Sequence, residues 1–573
     1  MPPRFSREIT RPVVMGPKLK EQFRTSPCEA ACPAGNSIQK MHALIEKGQF
    51  TEALRYLRAK NPFPGITGRT CPHFCMNKCN RAQKDGCLNI RALERAAETF
   101  AENGGVIFKN CPPTGKKAAV IGGGPAGLTA AYYLALLGHS VTIYESQPML
   151  GGVPRYGVPN FRLPRYVVDR EVGLVLEAGV RAIVNTKVGI DITMDEIAAR
   201  YDTIILATGV PAENSLSIPG ADCAVHAVEF LRESALGVNT GRIGEKVVIM
   251  GGGGVAFDCA FTARRLGAKE VHVVCLEEAS AMRAPAEDLE LAAKENIVIH
   301  NACTMSAVRT VDGRVTGADF YEVAESSFDE KGRLKLKPRP GGEHTLDCDT
   351  VIFAVGMKTD LDYLGENAGG IDLTPRRWIR VDGNQRTSKA GIFAAGEVSY
   401  IFVKHIYALA SIAGAVGDGR RAAFAAHEYL TGTKSRVYAL DEENRIEACD
   451  AMGSDTAPEV VQYADIYGIA QYEEVPMERE AVNSCEKAFA EQSLGLTAEQ
   501  AQKEAARCFH CGHCKGCGTC VEDCPGYVLE LKPYKDQNRP QVAHGEECWH
   551  CANCRTSCPT GSIGFKFPLF MQV

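Results

Sequence analysis

The chain has 573 residues, 45% of them hydrophobic, with a net charge of -5 and 24 cysteines. That length exceeds what one hydrophobic core serves, so three or four domains are expected, and mixed-sign charge without a basic run excludes the electrostatic footprint of a nucleic-acid binder. No apolar run reaches the roughly 20 residues of a membrane-spanning helix, and the amino-terminal stretch lacks a signal-type apolar segment, so a cytoplasmic protein is expected whose cysteines are metal ligands and buried thiols rather than disulfides.

Residues 1–112 read as short helices carrying a close series of cysteines: Cys28-x3-Cys32-Pro33, then Cys71-x3-Cys75-x3-Cys79, then Cys87. The pattern changes at residue 116. Lys117 to Ile121 is apolar and β-prone, Gly122-Gly123-Gly124-Pro125-Ala126-Gly127 follows, an alanine- and leucine-rich helix runs to Gly138, and Val141 to Tyr144 is a second strand ending at Glu145. Gly122 permits the turn, Gly124 lets a pyrophosphate approach the backbone, and Gly127 lets the helix lie close to the strand. Glu145 stands where a carboxylate meets a ribose hydroxyl. A lone glycine pattern is weak; its strand, helix and acid together predict a dinucleotide site.

The unit recurs downstream. Lys246 to Met250 reads as a strand, Gly251-Gly252-Gly253-Gly254-Val255-Ala256 as the turn with Ala256 in the third place, a helix continues to Gly267, and Val271 to Leu276 leads to Glu277. Two dinucleotides are therefore expected, one a flavin and one a nicotinamide, since a flavin converts two-electron hydride transfer into single-electron steps. The segments Tyr201 to Gly209 and Asp349 to Gly356 read as buried strands where the chain crosses between nucleotide domains. Gly391 to Glu397 is a further strand and turn ahead of a long helix through residue 428. No cysteine lies between Cys111 and Cys223, where Gly151-Gly152-Val153-Pro154 stands near the first loop, so thiol chemistry beside the flavin is not expected.

Residues 431–505 carry no nucleotide motif and read as an acidic linker wrapping the core before a helix at 496–508. The carboxy-terminal region holds Cys514-x2-Cys517-x2-Cys520-x3-Cys524-Pro525 and Cys548-x2-Cys551-x2-Cys554-x3-Cys558-Pro559. At this spacing three thiolates hold one cubane and the fourth reaches the other cluster. Cys558 then completes the Cys514/Cys517/Cys520 cluster, and Cys524 completes the Cys548/Cys551/Cys554 cluster. Structural zinc favours paired C-x2-C arms instead. The run resembles a bacterial two-cluster ferredoxin. Of the single cysteines Cys111, Cys223, Cys259, Cys275, Cys303, Cys348, Cys449 and Cys485, most read as small buried hydrophobes, and His73, His510, His513 and His550 read as hydrogen-bonding or solvent-facing residues.

Further motifs carry a family resemblance: Asn61-Pro62-Phe63-Pro64, Gly68-Arg69-Thr70-Cys71-Pro72, Cys79-Asn80-Arg81, Ile90 to Arg95 and Ala119 to Leu128. With Cys28 to Pro33 they resemble the glutamate synthase small-subunit family, which includes the amino-terminal part of dihydropyrimidine dehydrogenase and the large subunit of ferredoxin:NADP transhydrogenases. The resemblance spans roughly residues 20–430. It implies the two-dinucleotide-binding flavoprotein fold, FAD held by Gly122, Gly124, Gly127, Glu145, Gly152, Thr208, Gly209, Gly396 and Glu397, and a nicotinamide dinucleotide held by Gly251, Gly253, Ala256 and Glu277. The family places an aspartate where this chain has Glu397. It also implies one [4Fe-4S] cluster on Cys32, Cys71, Cys75 and Glu94, and a second using the equivalents of Cys28 and Cys79 with an upstream C-x2-C pair. This chain has no cysteine before Cys28, but Ala506-Arg507-Cys508-x2-Cys511 repeats the missing signature. Cys508 and Cys511 are therefore expected to fold back onto Cys28 and Cys79; Cys87 taking part instead, or free thiols, are the alternatives.

The expected fold class is α/β: a helical iron–sulfur domain (1–112), an FAD domain split as 113–242 and 350–430, a nicotinamide domain (243–349), the linker, and an α+β ferredoxin-like domain (506–573). The expected function is an FAD and iron–sulfur oxidoreductase with no catalytic side chain beyond the flavin. It links a nicotinamide to a ferredoxin, or, in a hetero-oligomer, to the catalytic subunit of a 2-oxoacid oxidoreductase, hydrogenase, formate or aldehyde dehydrogenase. The rivals are a glutamate synthase subunit feeding an amidotransferase and a non-catalytic electron-transfer scaffold. NADP-using members of the family end the second strand of the second unit in Tyr-Arg-Arg, whose guanidinium groups clamp the 2'-phosphate. Here that place reads Val274-Cys275-Leu276-Glu277-Glu278, so NAD(H) is expected over NADP(H), with Arg283 a few residues on as a residue able to rescue NADP binding.

Overall fold

The computed structural model describes residues 24–102, 110–238, 243–328, 334–401, 411–433, 459–483, 489–534 and 537–564. Two parallel five-stranded sheets form its centre. The first runs in the order Ile392–Ala394, Thr203–Leu206, Lys117–Ile121, Ser140–Tyr144, Arg181–Ile183. Its central strand is apolar on both faces because both faces are covered. The helix Pro125–Leu136 is buried along almost its whole length, pinned between the sheet and the 20-residue helix Ile412–Thr431. That second helix approaches closely through glycines. A Cβ on Gly419 would collide with the Ala126 carbonyl, and one on Gly417 with the Pro33 carbonyl, so one helix touches both the first glycine loop and the Cys32 turn.

The second sheet runs Val225–His226, Thr350–Phe353, Lys246–Met250, Glu270–Val274, Val298–His300, again parallel, and an antiparallel three-stranded sheet, Cys303–Val311, Arg314–Phe328 and Leu334–Leu346, packs beside it. The domain boundaries expected at 242/243 and 349/350 shift accordingly. Val225–His226 and Thr350–Phe353 pair into the second sheet, where Thr350–Phe353 lies between Lys246–Met250 and the edge strand Val225–His226 and buries its apolar side chains on both sides.

The amino-terminal helices Ile38–Ile45, Phe50–Arg58, Pro64–Thr70 and Ile90–Thr99 build a core of their own. It also takes in Leu496, Ala501, Ala505 and Cys508. The helix Ala498–Ala506, opened by a Thr497/Gln500 capping box, thus belongs to this core, and the expected boundary at 505/506 is corrected to a point after Cys511. Polar chemistry fixes the docking. Buried Glu504 accepts the Asn89 N–H (2.8 Å) and an Arg507 N–H (2.7 Å), while Arg507 pairs with Asp85 (3.2 Å) and its carbonyl accepts from Arg81 (2.6 Å).

The carboxy-terminal module has two short helices, Thr519–Glu522 and Asn553–Thr556, and an antiparallel hairpin, Leu529–Tyr534 with Gln537–Val542. It docks through residues 459–472. Val460 bridges Thr25, Arg24 reaches Asp465 (2.7 Å) and the Gly561 carbonyl (2.9 Å), and Arg555 pairs with Asp465 (2.9 Å). Among the described residues no helix is long and apolar enough to cross a membrane. Cys449 and Cys485 lie outside the described residues.

Candidate redox centres

Each glycine loop is a cradle that a Cβ would fill. Gly122 sits at φ +106° with its N–H on the Tyr144 carbonyl (2.9 Å), and a Cβ there would strike the Ala207 carbonyl. Gly124 caps the helix Pro125–Leu136, so its free N–H groups face the loop mouth, suited to a pyrophosphate. On the other wall stand Gly151 and Gly152, both at positive φ; a Cβ on Gly152 would lie 2.6 Å from the Gly124 Cα. Glu145 accepts the Gly123 N–H through Oε2 (2.7 Å) and the Gln147 N–H through Oε1 (2.8 Å), which fixes its carboxylate at the loop rim. Thr208 and Gly209 follow the strand beside the loop, Thr208 Oγ1 lying 3.4 Å from the Tyr363 hydroxyl. Gly396, at φ +77°, abuts the Ala126 Cβ, which brings the turn at 396–397 to the same helix. These residues fit a flavin dinucleotide.

Glu397 is half-buried, and burial alone raises its carboxyl. The residue that organises its turn is Asp418, which sequence reasoning missed. Asp418 accepts the Gly396 N–H and the Gln385 side-chain amide (3.1 Å) and pairs with Arg421. Only the fold brings it to the turn.

The second loop repeats the first. Gly251 is at φ +141° with its N–H on the Val274 carbonyl (2.8 Å), Gly253 caps the helix Gly254–Arg265, and Ala256 is fully buried. Glu277 Oε2 stands against Gly252 as Glu145 stands against Gly123. Arg283, 83% exposed, approaches Glu277 at 3.5 Å.

Three groups of thiols come together, with Cys514 to Cys558 forming a fourth by their division into two sets. Cys32, Cys71, Cys75 and Glu94 lie within mutual electrostatic reach. Burial raises Cys32 to about 11 and Cys71 to about 12. It also raises Glu94 to about 7, against the pull of three donors that all reach one oxygen: Asn36 (3.1 Å), Asn61 (3.0 Å) and Thr67 (2.5 Å) on Oε1. A carboxylate anchored by one oxygen keeps the other for a metal, so this set fits a cubane with one oxygen ligand. Cys32 packs against both the first nucleotide core and the amino-terminal core.

Cys28, Cys79, Cys508 and Cys511 line one small cavity with Gln39, His42 and Asn80. Cys87 does not line it; it is half-buried beside Cys79. In the carboxy-terminal module Cys520 lies within electrostatic reach of Cys514, Cys517 and Cys558, and also of Cys554, while Cys554 is within reach of Cys524, Cys548 and Cys551. Backbone or hydroxyl donors point at several sulfurs: Asn36 N–H on Cys32 (3.4 Å), Val528 N–H on Cys524 (3.4 Å), Ser562 N–H on Cys558 (3.3 Å), and the Thr519 hydroxyl on Cys517 (3.4 Å). Such donors stabilise anionic sulfur. Every described cysteine is a free thiol, and among the described residues no three metal-ligating side chains close on a point suited to a single ion. Cys259, Cys275, Cys303 and Cys348 are buried as expected, whereas Cys111 and Cys223 are half-buried. Of the histidines, His510 is buried against Glu46 (3.6 Å) and His73 contacts Glu287 (3.4 Å). The histidine that reaches a cluster cysteine is His42, which no sequence motif marked.

Comparison with known proteins agrees in layout. Residues 116–417 match the pyridine nucleotide-disulphide oxidoreductase family, residues 21–105 the dihydropyrimidine dehydrogenase domain II 4Fe-4S cluster family, and residues 513–562 the 4Fe-4S dicluster domain. The chain is 33% identical to the NADP(+)-dependent formate dehydrogenase subunit beta of Moorella thermoacetica, over 85% of this chain and 71% of that protein. It is 31% identical to the NADPH-Fe(3+) oxidoreductase subunit beta of Geobacter sulfurreducens, over 85% and 75%. It is 30% identical to the glutamate synthase [NADPH] small chain of Bacillus subtilis, over 70% and 86%.

Proposed function

The chain belongs to the pyridine nucleotide-disulphide oxidoreductase family, as an NAD(P)H-dependent FAD and iron–sulfur oxidoreductase, and on that premise we propose that it links NAD(H) to the catalytic subunit of a larger redox enzyme. When bound, FAD supplies the conversion between hydride and single electrons. The protein's part is to hold the carriers in sequence. Gly122, Gly124, Gly127, Glu145, Gly152, Thr208, Gly209, Gly396 and Glu397 would bind FAD; Cys32, Cys71, Cys75 and Glu94 the nearest cubane; Cys514, Cys517, Cys520 and Cys558, and Cys548, Cys551, Cys554 and Cys524, the two distal ones. The observation that carries this order is the helix Ile412–Thr431, whose glycines touch the first glycine loop at Ala126 and the Cys32 turn at Pro33.

The choice of NAD(H) rests on Glu277. Its carboxylate beside Gly252 suits the hydroxyls of an adenosine ribose and repels a 2'-phosphate. The Moorella and Geobacter relatives are named for NADP(+) and NADPH, and Arg283 is the cation nearest to serving that role here. Steady-state assays with NADH and NADPH against a viologen dye decide it: kcat/KM is expected to be higher for NADH, and a higher value for NADPH overturns the choice.

A hetero-oligomer is supported by the relatives' names, which are those of beta subunits and small chains. The formate dehydrogenase relative favours that partner class over 2-oxoacid oxidoreductase, hydrogenase, aldehyde dehydrogenase or free ferredoxin, and proteins copurifying with the native complex test it. A subunit that only feeds an amidotransferase would leave the carboxy-terminal dicluster module without a use. A non-catalytic scaffold predicts no NAD(P)H-dependent dye reduction by the isolated chain. The free thiols support a reducing compartment, the cytoplasm.

A further inference from the structure

The small cavity between the amino-terminal helices and the helix Ala498–Ala506 is lined by four cysteines from segments far apart in the chain: Cys28, Cys79, and the pair Cys508 and Cys511. Three are buried and Cys79 is half-buried; none is in a disulfide. Their charges are mutually felt, Cys28 with Cys79 and Cys508, and Cys511 with Cys79. Gathering four thiols face to face around one cavity has no packing rationale that four alanines would not serve better.

The polar groups around the cavity point at sulfur. Asn80 donates its amide to Cys511 Sγ (3.5 Å), Gln39 its amide to Cys28 Sγ (3.6 Å), and the His510 N–H meets Cys508 Sγ (3.3 Å). Backbone N–H groups of Leu88, Arg81 and Ala82 favour the Cys79 thiolate. His42 Nδ1 lies 3.2 Å from Cys508 Sγ, while its Nε2 is buried without a partner. A thiolate can only accept, so beside one the His42 proton sits on Nδ1. Each sulfur thus has at least one N–H donor, an arrangement that suits anionic, metal-bound sulfur better than neutral thiols.

We propose that Cys28, Cys79, Cys508 and Cys511 hold a fourth [4Fe-4S] cluster joining the two ends of the chain, and that His42 is a positioning residue whose N–H to Cys508 raises its reduction potential. The proposal rests on the iron–sulfur reading above and extends it. The site also lies on the route. Tyr472 is within electrostatic reach of Cys508 and Cys511 and of Cys558 in the first distal set, and Cys28 is four residues from Cys32 of the proximal set. The helix Ala498–Ala506 is docked by the Glu504–Arg507–Asp85 network, so the cavity is formed by protein contacts, ready to receive the cluster.

The test uses the full chain, purified anaerobically. The parent is expected to hold about 16 iron atoms, four for each of four cubanes. About 12 would remove this cluster and leave the conduit standing; eight or fewer would remove the amino-terminal clusters altogether and sink the broader reading with it. Cys508→Ser/Cys511→Ser and, separately, Cys28→Ser/Cys79→Ser are each expected to lose about four irons and the same paramagnetic resonance signal, with FAD and both distal cluster signals retained. Unchanged iron in either pair, or loss of different signals from the two ends, overturns the site. His42→Phe is expected to move the midpoint of that one signal to a more negative potential, since donors to sulfur favour the reduced cluster; midpoints identical to the parent's overturn its role.

Discussion

The proposed preference for NAD(H) rests on Glu277, a carboxylate just beyond the strand Glu270–Val274 that stands against Gly252 of the second glycine loop. Glu277→Arg removes the repulsion of a 2'-phosphate and supplies a donor fork. The ratio of kcat/KM for NADPH to that for NADH is expected to rise ten- to a hundredfold, about 1.4–2.8 kcal/mol; an unchanged ratio contradicts the role given to this residue. Glu171 provides a second prediction. It accepts the Gly65 (2.6 Å) and Ile66 (2.9 Å) N–H groups at the start of the helix Pro64–Thr70, yet full burial outweighs them and raises the carboxyl to about 7. An acid with a raised pKa binds its proton more tightly in the folded state. Its contribution is therefore fully present below the unfolded value of 4.5 and is lost as pH rises through about 7. Compared with Glu171→Gln by denaturant unfolding, the parent is expected to lose roughly 1–3 kcal/mol between pH 4.5 and about pH 8; a pH-independent difference contradicts this. Spacing marks candidate ligands such as Cys514 or Gly122 because the chemistry demands fixed intervals along one loop. It is silent on His42, Asp418 and Glu171, whose partners lie across the fold and follow no interval.

At the level of elements, the two glycine-loop units were legible nearly to the residue, since strand, turn, helix and acid are all local. Lys117–Ile121 and Lys246–Met250 form as the apolar runs predict. Sheet membership was less legible. Thr350–Phe353 is as apolar as any strand of the first sheet, and only pairing with Lys246–Met250 assigns it to the second. The helix Ala498–Ala506 was foreseen, but not that it completes the amino-terminal core. Arg507→Ala would leave the buried Glu504 carboxylate with its backbone N–H partners from Asn89 and Glu478 but without its charge partner, which is expected to cost about 3 kcal/mol. It should also speed amide exchange in residues 498–511 ahead of the nucleotide sheets; uniform exchange would contradict the docking described. Gly419→Ala drives a Cβ onto the Ala126 carbonyl and is expected to lower the FAD-to-chain ratio. A variant that retains full flavin would show that the helix Ile412–Thr431 has room to move.

For the whole molecule, the order of segments along the chain differs from their order along the proposed electron route. The nucleotide domains occupy the middle of the sequence, and the cluster residues that surround them come from both ends. Arg24, Val460, Asp465 and Gly561 clasp the carboxy-terminal module to the start of the described chain, while Cys32 and Pro33 rest on the flavin side through Gly417. The ends therefore meet where the proposed carriers would lie close together. The central claim is that one chain holds a flavin and an unbroken series of clusters. Joint determination of FAD and iron in anaerobically purified full-length chain tests it most directly: the account predicts one FAD with about 16 irons, and a fully loaded chain with eight or fewer, or with no flavin, would contradict it.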